Sequence, residues 1–357
     1  MRDCIISNEQ NKSNHYLEFD HYIAFDWSQQ NVALARLTKK GNLLKVIEWA
    51  QSDIKLIKEY LNKLQGTTVL TFEETTNSQW LYVEFKDFVD RIIVCDPYRN
   101  HLLLEGPKTD KIDSVKLCQL LKAGFLKEVY HSNDQLYQYR CLLSAYTDLV
   151  KAGVRIQNQH SALYRARGLH YKKCDKGEAE HKISQHHLRQ FVKNWQLQVI
   201  EQYHEDKKLF EGQIEKVVHS HKPINQLTQI PGIGIISAFK IFAIVIEPRR
   251  FRNRGCYLSY CGLVLHEKTS GGRSYGKRFP RFNRELKAIY LTAARVAIRS
   301  ANNPLYEYFE KLIEKGLTPK QANLQLARYI ARVSLSIMKS SQKYEPYRWR
   351  KDEVTAA

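Results

Sequence analysis

Four carboxylates, Asp26, Glu73, Asp110 and Asp113, carry the most chemical potential in this chain. Asp110 and Asp113 stand three apart at the start of a predicted helix that follows Lys108-Thr109, so their side chains share one helical face. A helix N-terminus favours negative charge, and such a pair can serve the helix alone. Asp26, however, closes the apolar run Tyr22-Ile23-Ala24-Phe25, and Glu73 closes Val69-Leu70-Thr71-Phe72. Acids at the carboxyl ends of short strands stand where open α/β sheets place their chemistry. Two strand-end acids and two helix acids form a set of hard oxygen ligands that suits Mg²⁺ or Mn²⁺, with room for two ions.

The elements that must position these acids follow from the local pattern. Tyr22–Asp26, Val32–Leu37 and Leu44–Trp49 read as strands, with a turn at Lys39-Lys40-Gly41-Asn42. Ile54–Leu64 is an amphipathic helix, Val69–Glu73 a fourth strand, Gln79–Val89 a second helix and Ile92–Cys95 a fifth strand. The order β-β-β-α-β-α-β is that of the ribonuclease-H-like fold. Beyond the acid-bearing helix at 110–123, apolar residues keep helical spacing at Leu136, Tyr139, Leu143, Tyr146 and Val150. They do so again at Leu188, Phe191, Trp195, Val199 and Tyr203, continuing through Phe210, Ile214 and Val217. The two stripes predict a long antiparallel helical hairpin, also suited to a dimer seam. Its polar tip at Tyr171–Lys182 and the basic residues Arg165, Arg167, Lys172 and Lys173 suit a phosphate backbone.

The C-terminal third reads as all-helical. Residues 227–238, LTQIPGIGIISA, resemble the hairpin of helix–hairpin–helix modules, in which glycines let backbone N–H groups approach phosphate. A Gly-rich basic loop follows, Thr269-Ser270-Gly271-Gly272-Arg273, leading to Lys277, Arg278 and Arg281; these cations suit phosphate neutralisation. Asn283 is placed to cap a helix, and Thr318-Pro319 with Gln321 forms a capping box that opens the last one. Residues 341–357 read as a loose tail and residues 1–20 as a flexible arm. The resulting division is 21–125 for an acid-bearing α/β domain, 126–222 for the helical hairpin and 223–340 for a C-terminal domain.

Composition narrows the function classes. The 357 residues are 43% hydrophobic, enough for several cores, and carry a net charge of +19. That excess points to a polyanion, nucleic acid above all. No apolar run approaches the ~20 residues that span a bilayer, and the polar N-terminus lacks a signal-peptide centre; a cytoplasmic protein is expected. Seven cysteines are scattered singly, without a C-x-x-C pair, which argues against structural zinc.

Taken together, the motifs resemble the DEDD transposases of the bacterial insertion-sequence one-ten family, which also holds Piv-type DNA invertases and bridge-RNA-guided recombinases. The resemblance runs from about residue 21 to 340. It rests on FDWS at 25–28, FEETT at 72–76, CDPYRN at 95–100, KTDKID at 108–113, IPGIG at 230–234, RRFRN at 249–253, YCGLV at 260–264 and TSGGRSYGKR at 269–278. It implies a RuvC-like domain, a coiled coil and a C-terminal transposase domain. It maps the family's four acids onto Asp26, Glu73, Asp110 and Asp113, with two Mg²⁺ or Mn²⁺ ions, and its serine nucleophile onto Ser270. Glu74 rivals Glu73 because two glutamates precede two threonines here, and Thr269 rivals Ser270. Where the family has a basic, Gly-containing segment, this chain has Phe279-Pro280-Arg281-Phe282. The implied activity is strand exchange through a covalent serine–DNA intermediate. The implied partners are DNA, a structured guide RNA and further copies of the chain, as a homodimer or tetramer, with nucleoid association during activity. A junction nuclease using water, or an inactive nucleic-acid-binding protein, would use the same features differently.

Overall fold

A computed structural model describes residues 18–28, 30–49, 51–98, 109–132, 134–171, 186–299, 301 and 303–350. The chain divides into two compact units between Tyr137 and Gln138. The arm before residue 18, the hairpin tip at 172–185 with Lys172 and Lys173, and the tail beyond Arg350 lie outside the described residues.

The first unit is built on a five-stranded sheet. Its strands are β1 (His21–Trp27), β2 (Val32–Thr38), β3 (Ile47–Trp49), β4 (Thr68–Glu73) and β5 (Arg91–Cys95), in the spatial order β3-β2-β1-β4-β5. β1 pairs antiparallel with β2 and parallel with β4, and β4 pairs parallel with β5. Parallel neighbours need crossovers. These are supplied by α1 (Ile54–Asn62), which leads into β4, and α2 (Ser78–Phe85), between β4 and β5. Both helices cover one face of the sheet, where Ile57, Leu61, Leu81 and Phe85 pack with Ile23, Phe25, Leu70 and Phe72. α3 (Asp110–Lys122) covers the other face through Leu117, Cys118 and Leu121, against Tyr22, Ala24, Ala35 and Val69. With both faces covered, the central strands are apolar almost throughout.

The second unit is mostly helical. α4 (Asp134–Arg165) and α5 (His187–Ser220) form the expected antiparallel pair. The Tyr146 hydroxyl donates to Glu211 at 2.9 Å, the Tyr203 ring fills the place a side chain on Gly153 would take, and His160 Nδ1 meets Gln196 Oε1 at 3.1 Å. The inward face of α5 differs from the predicted stripe. Gln196, Tyr203, Ile214 and Val218 are buried, whereas Leu188, Phe191 and Trp195 are exposed. Each step of four residues overshoots a helical turn by about 40°, so counting back by fours from Tyr203 moves Trp195 about 80° and Phe191 about 120° off the buried face.

The helices α6 (Lys222–Leu227), α7 (Ile235–Val245), α8 (Arg254–Tyr260), α9 (Arg284–Ala297), α10 (Pro304–Glu314) and α11 (Pro319–Ser340) follow. The Asn283 cap and the Thr318/Gln321 capping box form as expected. In the PGIG turn, Gly232 has φ 88°, and a Cβ there would stand 2.2 Å from the Ala293 carbonyl oxygen. That glycine lets the turn press against α9, while Gly234, which caps α7, has nothing within 4 Å of the place its Cβ would take.

Two expectations for this unit are corrected. It is not all-α: β6 (His266–Ser270) and β7 (Arg273–Arg278) form an antiparallel hairpin where a loop was expected. Nor is the segment after Ser340 loose throughout. Trp349 is 1% exposed, its ring lies 5.4 Å from that of Tyr308 under Lys311, and Arg350 pairs with Glu307 at 2.6 Å. Among the described residues no helix is long and apolar enough to cross a membrane. Because a buried tryptophan contributes about 3–5 kcal/mol over alanine, Trp349→Ala should lower the denaturant midpoint of the second unit clearly. An unchanged midpoint would mean that this segment is not docked.

Candidate active site

Strand alternation places the first two acids. Phe25 and Phe72 point into the α1/α2 core, where their rings stack 5.0 Å apart at 10°. The residue after each must therefore face the opposite side of the sheet. The β1–β4 register Ala24↔Thr71 sets Asp26 level with Glu73, both on the α3 face at the carboxyl ends of their strands.

α3 supplies the other two. Thr109 caps it, its hydroxyl accepting from Ile112 N–H, and Asp110 and Asp113 occupy the first turn. Further along, Ser114, Leu117, Cys118 and Leu121 are buried. The Cys118 thiol, pushed up to about 12 by burial, donates to the Tyr22 carbonyl at 3.1 Å. The eight residues from Cys118 back to Asp110 rise about 12 Å along the helix, and the four from Tyr22 to Asp26 about 13 Å along the strand. The helix, running against β1, thus brings its acidic first turn back to Asp26.

The electrostatics report that convergence. Asp26 is raised to about 6, first by burial and then by the negative charges of Asp110 and Asp113. Asp113 Oδ1 is buried and has no hydrogen-bond partner. Like charges held together with an unsatisfied oxygen are suited to a cation, and an all-carboxylate donor set is the chemistry that Mg²⁺ or Mn²⁺ accepts. Among the described residues no three His, Cys, Asp or Glu side chains already stand in metal-coordinating geometry.

Glu74 faces elsewhere. Its carboxylate meets the Nε2 of buried His131 at 3.1 Å, and the His131 ring lies 5.6 Å from Tyr82. Nearby, Gln79 Nε2 donates to the Ser132 carbonyl at 2.7 Å. Sequence reasoning missed this partner of Glu74: 57 residues separate the pair, and only the fold joins them.

In the second unit, Ser270 ends β6. Gly271 and Gly272 both have positive φ, 55° and 77°, and make the two-residue turn that a tight hairpin requires. Ser270 pairs across the ladder with Arg273, and Thr269 with Ser274. Ser270 and Thr269 are both exposed, as is every residue of β7, including Arg273, Lys277 and Arg278. The hairpin is anchored at its base by Ser259 Oγ to His266 Nε2 at 2.8 Å, and by Phe279 and Phe282, whose rings lie under Lys287. Arg281 is exposed in the segment between those rings. Arg165 and Arg167 are exposed at the end of α4.

Comparison with known proteins bears on this second unit. Residues 224–310, which contain Ser270 and the whole hairpin, match the family model described as Transposase IS116/IS110/IS902 family. Over this stretch the chain is thus similar to transposases of insertion elements. The matched family model carries the names IS110 and IS116, as does the family that the motifs resemble. The chain is similar to the insertion element IS110 uncharacterized 43.6 kDa protein of Streptomyces coelicolor, 31% identical over 144 residues, 40% of this chain and 35% of that protein. It is also similar to the insertion element IS116 uncharacterized 44.8 kDa protein of Streptomyces clavuligerus, 27% identical over 121 residues, 34% of this chain and 30% of that protein. The similarity thus spans about a third of the length of each relative.

The raised Asp26 gives a pH prediction. A carboxyl whose folded pKa lies above its unfolded value binds its proton more tightly in the native state. In metal-free protein its contribution therefore falls as pH rises from about 4 to about 6 and is level above that. Asp110→Asn together with Asp113→Asn should move the Asp26 midpoint down, though not to the ordinary value, because burial remains. Carbon-13 NMR of the aspartate carboxyls checks this; an Asp26 midpoint near 4 that ignores both substitutions would contradict the proximity.

Proposed function

We propose that the protein is an insertion-element transposase or recombinase that cleaves and rejoins DNA strands with divalent-metal assistance. The observation that carries the reading is the meeting of Asp26 with Asp110 and Asp113 at the sheet's carboxyl edge, in a chain whose residues 224–310 match a transposase family. The strand order β3-β2-β1-β4-β5, with one antiparallel and two parallel pairings at its centre, supports a ribonuclease-H-like (RuvC-like) first unit.

Asp26, Glu73, Asp110 and Asp113 would hold one or two Mg²⁺ or Mn²⁺ ions, and Glu73 is preferred to Glu74 because Glu74 faces His131. Bound there, the metal supplies charge stabilisation at the scissile phosphate. Ser270 is the nucleophile: its Oγ bonds to phosphorus as one P–O bond to a deoxyribose oxygen breaks. The serine proton leaves to solvent, and the departing oxygen takes one up. The phosphodiester survives as a serine ester, so rejoining needs no external energy source. Ser270 is preferred to Thr269 because it stands at the hairpin turn, beside two residues without side chains. Ser270 belongs to one unit and the acids to the other. Arg273, Lys277, Arg278 and Arg281, with Arg165 and Arg167, suit the backbone of bound DNA. Lys172 and Lys173 are assigned the same role from the sequence alone. A structured RNA that pairs with target and donor would leave the protein to read backbone and shape, as the +19 charge suits. Assembly as a dimer or tetramer completes the reading.

The test is a denaturing gel of the full chain with labelled DNA carrying the sequences that flank its gene. A slow, protease-sensitive band should appear with Mg²⁺ and vanish in Ser270→Ala, an exposed change of one oxygen that leaves stability within about 0.5 kcal/mol. Asp26→Ala, Asp110→Ala and Asp113→Ala should each abolish the band. Cleavage without any such band would make water the nucleophile and the protein a junction nuclease.

A further inference from the structure

The second unit holds a concentration of arginines outside the β6–β7 hairpin. A shallow pocket between α8, α11 and the segment after it is lined by Arg254, Tyr329, Arg332, Val333, Ser336 and Arg348. Arg254 is exposed, while Arg332 and Arg348 are half-buried. No carboxylate among the described residues forms an ion pair with any of the three. Arg332 Nε is buried without a hydrogen-bond partner. One turn back on α11, Arg328 is held below its ordinary value by burial and by the charge of Arg332. Three guanidinium groups that share one pocket without a counter-charge repel each other, and a buried donor left unmade costs stability. A fold keeps such an arrangement at low cost when an anion completes it. Guanidinium donors match the oxygens of a phosphate better than any other common anion-binding group.

We propose that Arg254, Arg332 and Arg348 form a cradle for one phosphate of a DNA backbone, a second DNA contact on α11 in addition to the hairpin. The proposal rests on the reading of the protein as one that binds DNA. Arg332 and Arg348 line the pocket half-buried, and Arg254 lines it exposed from α8. Ser336, one turn beyond Arg332, adds a hydroxyl donor at the same pocket. A phosphodiester carries one negative charge and two free oxygens; guanidinium forks can grip both oxygens, and the negative charge offsets the mutual repulsion of the arginines. The contact carries no base readout, so it anchors any sequence alike.

The experiment is a salt titration of binding between the full chain and a labelled DNA duplex, read by fluorescence anisotropy. Each neutralised phosphate adds about one to the slope of log K against log salt. The variant R254Q/R332Q/R348Q should lose about one from that slope and bind about tenfold more weakly at 0.1 M salt. R254Q alone, at an exposed position, should show part of the same loss and guards against a folding defect in the triple variant. In parallel, inorganic pyrophosphate at constant ionic strength should raise the melting temperature of wild type and not of the triple variant. An unchanged slope and an unchanged pyrophosphate shift would overturn the cradle. If wild type does not bind the duplex at all, the DNA reading of the protein falls. A pyrophosphate shift lost in the variant would then still assign the pocket to a phosphate.

Discussion

Consecutive residues of a strand face opposite ways, and the candidate active site depends on that constraint. Phe25 and Phe72 stack inside the core under α1 and α2, so Asp26 and Glu73, one residue on in each strand, must emerge on the α3 face. A buried aromatic ring is worth several kcal/mol of burial and pairing, far more than a carboxylate's preference for water on one side or the other. Slipping β1 or β4 by one residue would expose a phenylalanine and bury an acid under the helices, so the acids inherit their direction from the core. α3 completes the arrangement from the other side. Its buried residues lie on the strands, and the thiol of Cys118 fixes it to Tyr22 of β1, which brings Asp110 and Asp113 to the end of β1 where Asp26 stands.

The cost of this arrangement is visible. Asp26 is raised to about 6 first by burial and then by the acids beside it, and Asp113 keeps a buried oxygen without a donor. Neither feature helps the fold stand by itself. Both are relieved by a cation, and groups perturbed by burial and like charge cluster at functional sites. The arginine pocket on α11 has the same logic with the opposite sign: charge gathered without its counter-ion.

Much of the first unit was legible in the sequence. The strands and the acid at each strand end follow from short apolar runs that stop at a charged residue; in the second unit the start of α11 follows from the capping box at Thr318. Contacts remote in sequence were not. The meeting of Glu74 with His131 depends on where the chain after β5 is laid. The outward turn of Phe191 and Trp195 came from a stripe counted in steps of four, which drifts around a long helix. The β6–β7 hairpin was missed because its strands bury no face: with every β7 residue exposed, no alternation of apolar and polar marks it, and the glycine pair looked like a loop. Trp349, an isolated aromatic among basic residues, carried no periodic sign that it docks beside Tyr308.

The claim on which this account turns is that Asp26, Asp110 and Asp113 form one cation site. Manganese binding to the full chain, followed by electron paramagnetic resonance of the free ion, tests it without any substrate. The account predicts saturable binding of one or two Mn²⁺ per chain, competed by Mg²⁺ and lost in the combined Asp26→Asn, Asp110→Asn and Asp113→Asn variant. Equal uptake of Mn²⁺ by wild type and that variant, or none by either, would contradict it.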